Sequence, residues 1–177
     1  MDDAELVAAL RRHAYLEGDF VLRSGKRSRY YLDKYRFETV PEILEALGAR
    51  IAEAAGAVEP DAVRLAGPEL GAVALAAAAS MSSRLPFLIV RAKAKEYGTA
   101  NRIEGAFEPG ECVVLVEDIV TSGGAACEAV EALREEGLVV RHAVCVIDRE
   151  EGGSDALARL AVRLNPLFRA DVVRPGS

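Results

Sequence analysis

The segment that most constrains the fold is a run of four apolar residues, 113–116, followed directly by two acids and a turn of small residues. A continuous apolar run of this length is typical of a strand buried on both faces, as in parallel sheets that helices cover. Other strand-like runs at 62–66, 87–90 and 139–147 are interspersed with helical patterns at 70–82, 124–136 and 154–160. The alternation predicts an α/β fold with a central, mostly parallel sheet flanked by helices.

The chain of 177 residues has the usual size of one domain, and its 51% hydrophobic content is sufficient for one core. We therefore expect residues 1–177 to form a single domain. Residues 1–40 are predicted to form an amphipathic helix and then two short strands, 20–22 and 30–32, around a turn. Pro41 begins the next predicted helix, which extends to about residue 55.

Residues 91–103 differ from the segments around them, because they are polar and basic and have no sustained periodicity. An irregular stretch of this length within a compact domain is usually functional. We predict a mobile loop over the site, called here the lid loop.

Positive charge is concentrated in two windows of a chain whose net charge is −6. Residues 23–36 contain six basic residues and one acid, and residues 91–102 contain four basic residues and one acid. This pattern favours a site for a small anionic ligand, although each window alone would also fit a solvated, charged loop. The acidic remainder argues against a surface that binds nucleic acid throughout.

The cysteines and histidines are too scattered to suggest a protein metal site. Cys112, Cys127 and Cys145 each lie among apolar or small residues, and His13 and His142 are far from one another in sequence. We expect buried, reduced thiols and no zinc site, as in a cytoplasmic protein. No membrane contact is expected, because the longest apolar stretch, 72–79, is too short to cross a bilayer and the N-terminus lacks a leader pattern.

The two acids and the turn after residues 113–116 carry the predicted chemistry. Ligands of open α/β sheets bind at the carboxyl ends of strands, so Glu117 and Asp118 should face a crevice. Small residues and hydroxyls at the start of a helix form a cradle for an anion, and two neighbouring carboxylates suit the vicinal hydroxyls of a sugar. The alternative is purely structural: the acids would cap the following helix, and the small residues would form a tight turn that binds no ligand. The cradle, called here the phosphate loop, consists of Thr121, Ser122, Gly123, Gly124 and Ala125.

The segment VVLVEDIVTSGGA resembles the signature of the type I phosphoribosyltransferases. The resemblance implies the type I phosphoribosyltransferase fold, with a small N-terminal hood in residues 1–40 and the lid loop as a flexible catalytic loop. It also implies 5-phosphoribosyl 1-diphosphate as the donor. It places Glu117 and Asp118 on the ribose hydroxyls and the phosphate loop on the 5′-phosphate. Mg²⁺ is then the expected cofactor, carried by the donor's diphosphate.

Three further segments, FVLRSGKRSRYYLDK, RAKAKEYGTANRIEG and VIDREEGG, extend the likeness over most of the chain and resemble the orotate phosphoribosyltransferases. In that family the lid loop usually closes over the neighbouring subunit, which implies a homodimer. The lid residues implied to bind the donor are Arg91, Lys93, Lys95 and Tyr97. The residues implied to bind orotate are Arg149, Thr121, Arg23 and Tyr31.

The implied reaction belongs to pyrimidine biosynthesis. N1 of orotate displaces diphosphate from C1′ with inversion, giving orotidine 5′-phosphate. Lys95 and Asp118 are the implied catalytic residues: Lys95 assists the departing diphosphate and Asp118 steadies the ribose beside its electron-deficient carbon.

Several alternatives remain at this stage. Arg149 would also fit a surface salt bridge with Asp148, Glu150 or Glu151, and one of Tyr30 and Tyr31 would fit the core. The base could be a purine or uracil instead of orotate. A non-catalytic protein that senses the phosphoribosyl donor is a further possibility, although nucleic acid as its partner conflicts with the acidic remainder.

The chain also departs from the family pattern at three places. Tyr97 stands where the family loop commonly has histidine, which predicts a changed pH dependence. The turn 67–71, in the position of the family's diphosphate loop, lacks the lysine that some members carry there. Arg29 occupies the place of a common proline.

Overall fold

The computed structural model describes residues 1–21, 25, 27–92 and 102–173. In chain order, the elements are α1 (Asp3–Ala14), β1 (Tyr15–Val21), β2 (Arg27–Leu32), α2 (Tyr35–Glu38), α3 (Pro41–Val58), β3 (Arg64–Pro68), α4 (Gly71–Ser83), β4 (Phe87–Val90), β5 (Ile103–Glu104), β6 (Cys112–Val120), α5 (Gly124–Glu135), β7 (Val139–Asp148), α6 (Gly153–Arg159), β8 (Arg163–Arg169) and α7 (Ala170–Val173).

The main sheet has the strand order β5-β4-β3-β6-β7-β8. The pairs β4/β3, β3/β6, β6/β7 and β7/β8 are parallel, and the short β5 pairs antiparallel with β4. Strand order therefore reverses between β3 and β6, which is the point where open α/β sheets bind their ligands. The carboxyl ends of β3 and β6 lie side by side at this point.

The apolar run in β6 is fully buried because its alternate side chains pack into two separate cores, one on each face of the sheet. Val114 and Val116 belong to the core that includes apolar side chains of α3 and α4. Val113 and Leu115 belong to the core that includes side chains of α5. Helices thus cover both faces of the sheet, and the predicted fold class is confirmed.

The hood segment is built from α1, β1, β2 and α2. The helix α1 begins at a capping box, in which the Asp2 carboxylate accepts from the Glu5 N–H at 2.8 Å and the Glu5 carboxylate accepts from the Asp2 N–H at 2.9 Å. The strands β1 and β2 form a separate antiparallel pair, as predicted. The Arg50 guanidinium on α3 pairs with Asp3 at 2.8 Å, which joins the hood to the main body.

Ion pairs connect neighbouring segments at the amino ends of the parallel strands. Arg64, at the start of β3, pairs with Glu111 just before β6. Arg141, on β7, donates from Nε to the buried Glu59 at 2.7 Å, and this hydrogen bond is the main cause of the lowered pKa of Glu59. These contacts stabilise the end of the sheet that lies opposite to the predicted site.

Some element bounds differ from those predicted. The strand β6 extends to Val120, so Glu117 and Asp118 lie within the strand rather than after it. The strand β1 begins at Tyr15, five residues before the predicted start. The edge strand β8 was not predicted, because Asn165 and Pro166 interrupt its apolar pattern, and proline in a sheet is confined to such edges. Among the described residues, no helix has both the length and the apolar character needed to cross a bilayer.

Candidate active site

The centre of the site is the acid pair on β6. Glu117 and Asp118 are almost completely buried, with 6% and 3% of their surfaces exposed. Asp118 is engaged at both oxygens: Oδ1 accepts from the Ile119 N–H at 2.5 Å, and Oδ2 accepts from the Lys34 Nζ at 2.6 Å. Glu117 Oε1 is buried and has no hydrogen-bond partner among the described residues. The pair therefore offers one fixed carboxylate and one free acceptor.

Burial changes the protonation of the groups around the pair. Burial, and then the charge of Asp118, raise the pKa of Glu117 to about 8. The same two causes, in the same order, raise the pKa of Glu38 on α2 to about 8. Burial acts to lower the pKa of Lys34, but the charge and hydrogen bond of Asp118 outweigh it, so the pKa of Lys34 lies above its ordinary value. Lys34 therefore keeps its positive charge beside Asp118, and the carboxyls of Glu38 and Glu117 are neutral near pH 7.

Lys34 also places the acid pair against the turn that follows β3. A Cβ at Gly71 would overlap Asp118 Oδ2 and would lie 2.8 Å from Lys34 Nζ. Glycine is therefore required where this turn enters α4. Lys34 was not predicted as a site residue, and the only signal for it was its place in the first basic window.

The same turn is tied to the end of β4, where the lid loop begins. The Glu69 N–H donates to the Val90 carbonyl at 2.8 Å, and the Glu69 carboxylate accepts from the Ala92 N–H at 2.9 Å. Arg91 lies between these contacts, and its guanidinium is 3.9 Å from the Glu104 carboxylate. The structure thus brings Arg91 to the same edge of the sheet as the acids.

The phosphate loop is open to solvent. Thr121, Ser122, Gly124 and Ala125 are exposed, and Gly123 is buried at the N-cap of α5 with a φ of 81°. This positive φ, together with a close approach to Gly153, explains the glycine at this position. The first N–H groups of a helix have no partner within the helix, so α5 presents donors and the positive end of its dipole beside the acids.

Arg149 follows β7 and faces the hood. Its N–H donates to the Val120 carbonyl at 2.9 Å, which fixes its backbone beside the end of β6. Its Nη2 donates to the Tyr30 hydroxyl at 3.3 Å and pairs with Glu151 at 2.8 Å. The side chain is only 9% exposed, and its Nε has no hydrogen-bond partner in the described ranges. The alternative of a salt bridge is therefore correct for Glu151, but the arginine is not a solvated surface residue.

The two adjacent tyrosines of β2 face different surroundings. Tyr30 packs against the core and stacks on Tyr15, with ring centroids 5.6 Å apart. Tyr31 is 41% exposed and packs against Phe20. Of the pair, Tyr30 is the one that contacts Arg149, although Tyr31 was the residue predicted to bind a ligand.

The predicted residues that the structure gathers at the carboxyl edge are Arg91, Glu117, Asp118, Thr121, Ser122, Gly123, Gly124, Ala125 and Arg149. Arg23, Lys93, Lys95 and Tyr97 lie outside the described residues. The residues that sequence reasoning missed are Lys34, Glu38, Gly71 and Tyr30. A buried acceptor pair beside an open helix N-terminus is suited to a phosphorylated sugar, and a partly enclosed arginine is suited to a carboxylate.

Comparison with known proteins agrees with this geometry. The family described as phosphoribosyl transferase domain matches residues 38–161. The orotate phosphoribosyltransferase of Methanocella arvoryzae is 46% identical over 95% of both chains. The crystal structure of orotate phosphoribosyltransferase from Aeropyrum pernix is 31% identical, with a TM-score of 0.85 over 95% of both chains. The Mycobacterium tuberculosis orotate phosphoribosyltransferase, solved in complex with 5-phospho-α-D-ribosyl 1-diphosphate, is 26% identical, with a TM-score of 0.78 over 96% of this chain and 97% of that one.

Proposed function

Because this chain belongs to the phosphoribosyltransferase family, we propose that it transfers the 5-phosphoribosyl group from 5-phosphoribosyl 1-diphosphate to orotate. The products are orotidine 5′-phosphate and diphosphate, and the reaction belongs to pyrimidine biosynthesis. The observation that carries the proposal is the buried pair Glu117 and Asp118 beside the open phosphate loop, at the point where strand order reverses. The near full-length similarity to orotate phosphoribosyltransferases supports orotate as the base.

The acid pair and the phosphate loop hold the donor. Glu117 Oε1, buried without a partner among the described groups, is available to accept from a ribose hydroxyl. Asp118 accepts from the other hydroxyl and lies beside the carbon that becomes electron-deficient. The N–H groups and hydroxyls of the phosphate loop bind the 5′-phosphate, since the start of α5 favours negative charge.

Arg149 selects the acceptor. Its guanidinium is held between Tyr30 and Glu151, and orotate carries a carboxylate that a planar fork binds through two parallel hydrogen bonds. Purines and uracil lack that carboxylate, so binding of the correct base gains charge-assisted hydrogen bonds that the others cannot form. Thr121, Arg23 and Tyr31 complete the proposed orotate subsite.

Departure of diphosphate is assisted from the lid loop. Arg91, Lys93, Lys95 and Tyr97 are the proposed donors to the diphosphate, with Lys95 as the group that offsets its growing negative charge. N1 of orotate attacks C1′ as the C1′–O bond to diphosphate breaks, and the configuration at C1′ inverts. No covalent bond to the protein is needed, so catalysis depends on orientation and charge compensation.

Mg²⁺ fits this donor set. Carboxylate oxygens are the protein ligands that Mg²⁺ prefers, and it commonly remains attached to substrate phosphates with few protein ligands. Oε1 of Glu117, which has no hydrogen-bond partner among the described residues, would become such an oxygen once the cation displaces the proton of this carboxyl. When bound on the donor's diphosphate, the ion would neutralise part of its charge, and Glu117 and Asp118 are the residues that would hold it at the site.

The assembly and location follow from the same proposal. A homodimer would let the lid loop of one subunit close over the other. A cytoplasmic location is supported by the cysteines, which are all free thiols, with Cys112 and Cys145 buried and Cys127 partly so.

The test is an absorbance assay with orotate, the phosphoribosyl donor and Mg²⁺, repeated with uracil, hypoxanthine and adenine. We expect consumption of orotate alone. Turnover of another base in place of orotate would reassign the substrate, and binding of the donor without turnover of any base would refute the enzymatic proposal.

A further inference from the structure

Lys34 is a cation of the site to which the proposed reaction gives no task. Its Nζ donates to Asp118 Oδ2 at 2.6 Å and lies 2.8 Å from the position that a Cβ at Gly71 would occupy. The Lys34 side chain is 31% exposed, whereas that of Asp118 is 4% exposed. The Lys34 side chain is therefore partly open to solvent, and its ammonium contacts the buried Asp118.

An ammonium group has three donors, and the contact with Asp118 uses one of them. The remaining donors lie next to the turn that joins β3 to α4. That turn contains Gly67, Pro68, Glu69, Leu70 and Gly71, so its own formal charge is negative. Its acid, Glu69, is directed to the Ala92 N–H and does not compensate the ammonium.

The position of this turn matters because it follows β3 at the reversal of strand order, across from the acids of β6. A donor whose ribose hydroxyls contact Glu117 and Asp118, and whose 5′-phosphate lies at α5, directs its diphosphate away from α5. The turn leads into α4, whose apolar side chains belong to the core on one face of the sheet, whereas those of α5 belong to the core on the other face. A highly charged anion at the turn needs a cation that the turn itself does not carry.

We propose that Lys34 is a binding residue for the diphosphate of the donor, delivered to the Gly67–Gly71 turn from the hood and anchored there by Asp118. The inference rests on the proposed function, since it takes the phosphoribosyl donor as the ligand. It assigns to one side chain two linked tasks: Lys34 fixes the carboxylate that holds the ribose and supplies positive charge to the leaving group.

The test compares two ligands that occupy different parts of the proposed donor site. Inorganic diphosphate with Mg²⁺ occupies only the leaving-group side, whereas orotidine 5′-phosphate contacts the acids and the phosphate loop but has no diphosphate. Calorimetry measures the binding of each to the full chain and to Lys34→Met. We expect the dissociation constant for diphosphate to rise by about 10- to 100-fold, the usual effect of losing a hydrogen bond to a charged group. The constant for orotidine 5′-phosphate should rise by no more than about threefold, because that ligand loses only the anchoring of Asp118 and no direct contact with Lys34.

Two further variants sharpen the comparison. Lys34→Arg retains the charge and should recover most of the diphosphate affinity. Arg12→Met removes one positive charge from the exposed face of α1 and should bind both ligands like the wild type, which controls for net charge. If Lys34→Met does not fold, Lys34→Gln still donates to Asp118 without a charge and provides the same test.

Equal losses for the two ligands would show that Lys34 acts only through Asp118, and unchanged binding of both would show a purely structural ion pair. Either result overturns the inference. Orotate turnover by the wild type is measured on the same preparation. If the wild type turns over orotate and Lys34→Met binds diphosphate normally, only the Lys34 inference fails. If the wild type binds diphosphate and turns over no base, the proposed function fails instead. If the wild type turns over orotate but does not bind diphosphate, only the Lys34 inference fails.

Discussion

The guanidinium of Arg149 lies over the ring of Tyr30, with its Cζ 5.4 Å from the ring centroid, and its Nη2 donates to the tyrosine hydroxyl at 3.3 Å. The two residues are 119 positions apart in sequence. Tyr30 is itself stacked on Tyr15 at an interplanar angle of 13°. The aromatic pair of the hood thus holds an arginine that extends from the end of β7, and the arginine is oriented before a ligand arrives.

Replacement of Arg149 by alanine is expected to abolish efficient use of orotate. Loss of a charge-assisted fork in a partly enclosed position should raise the KM for orotate by at least about 100-fold. The affinity for diphosphate with Mg²⁺ should stay within about threefold of the wild type, because Arg149 lies on the other side of the acid pair. Steady-state kinetics and calorimetry measure the two effects. A parallel loss of both affinities would mean that Arg149 has no specific task in base selection.

Tyr30→Phe tests the orienting role of the hydroxyl. It keeps the stacked ring and removes one hydrogen bond to Arg149, so we expect the KM for orotate to rise by about three- to tenfold with little change in the melting temperature. Tyr15→Phe is the matched control, since Tyr15 contacts Tyr30 by stacking and should tolerate loss of its hydroxyl. The same KM in both variants would contradict the orienting role.

The raised pKa of Glu38 predicts that the stability of the fold depends on pH. The folded state holds the pKa of Glu38 at about 8, above the ordinary value of 4.5, so the folded state keeps a proton that the unfolded state releases between these values. Stability contributed by this group is therefore present at low pH and is lost as pH rises toward 8, with a maximal slope of about 1.4 kcal/mol per pH unit.

The variant Glu38→Gln carries a neutral group of similar shape at every pH. The change in melting temperature from the wild type to Glu38→Gln should be more favourable at pH 8 than at pH 5. The quantity to measure is therefore this change at each of the two pH values. A constant offset across this range would show that Glu38 does not titrate in this window. Glu117, with its own pKa raised to about 8, should leave part of the slope in place in the variant.

Gly71→Ala should be harmful although the change is small. The added methyl would overlap Asp118 Oδ2 and crowd Lys34 Nζ, so the ion pair must move. We expect a loss of about 1–3 kcal/mol in stability and at least about a tenfold loss of affinity for orotidine 5′-phosphate. Gly56→Ala on α3 is the control: a Cβ there meets nothing within 4 Å, and alanine should stabilise the helix by about 0.5–1 kcal/mol. Denaturant titration measures both, and a neutral Gly71→Ala would contradict the described packing.

The parts of the fold that were predictable rest on local patterns. The apolar run of β6 and the helical periodicity of α3 and α5 are visible in short windows, and their burial follows from them. The acids and the phosphate loop were predictable for the same reason, since they are contiguous with that strand. The extent of β6 was not, because Glu117 and Asp118 look like a strand terminus in sequence while the backbone pairing with β7 continues to Val120.

The parts of the site that were missed depend on contacts between distant segments. Lys34 and Asp118 are separated by 84 positions, and no local pattern connects them. The alternation of side chains along β2 indicates that Tyr30 and Tyr31 face opposite sides of the strand, but it does not indicate which one faces the core. That choice depends on the packing of the hood, which places Tyr30 on Tyr15 and leaves Tyr31 half exposed.

The site has a seam through it, because Tyr30 and Lys34 belong to the hood segment whereas Arg149 and Asp118 belong to the sheet. A ligand that contacts both sides binds only when the seam is closed, so its binding free energy also opposes separation of the hood from the sheet. Amide protons of β1 and β2 should then exchange with deuterium more slowly as ligand concentration rises, while those of the already protected β6 change little.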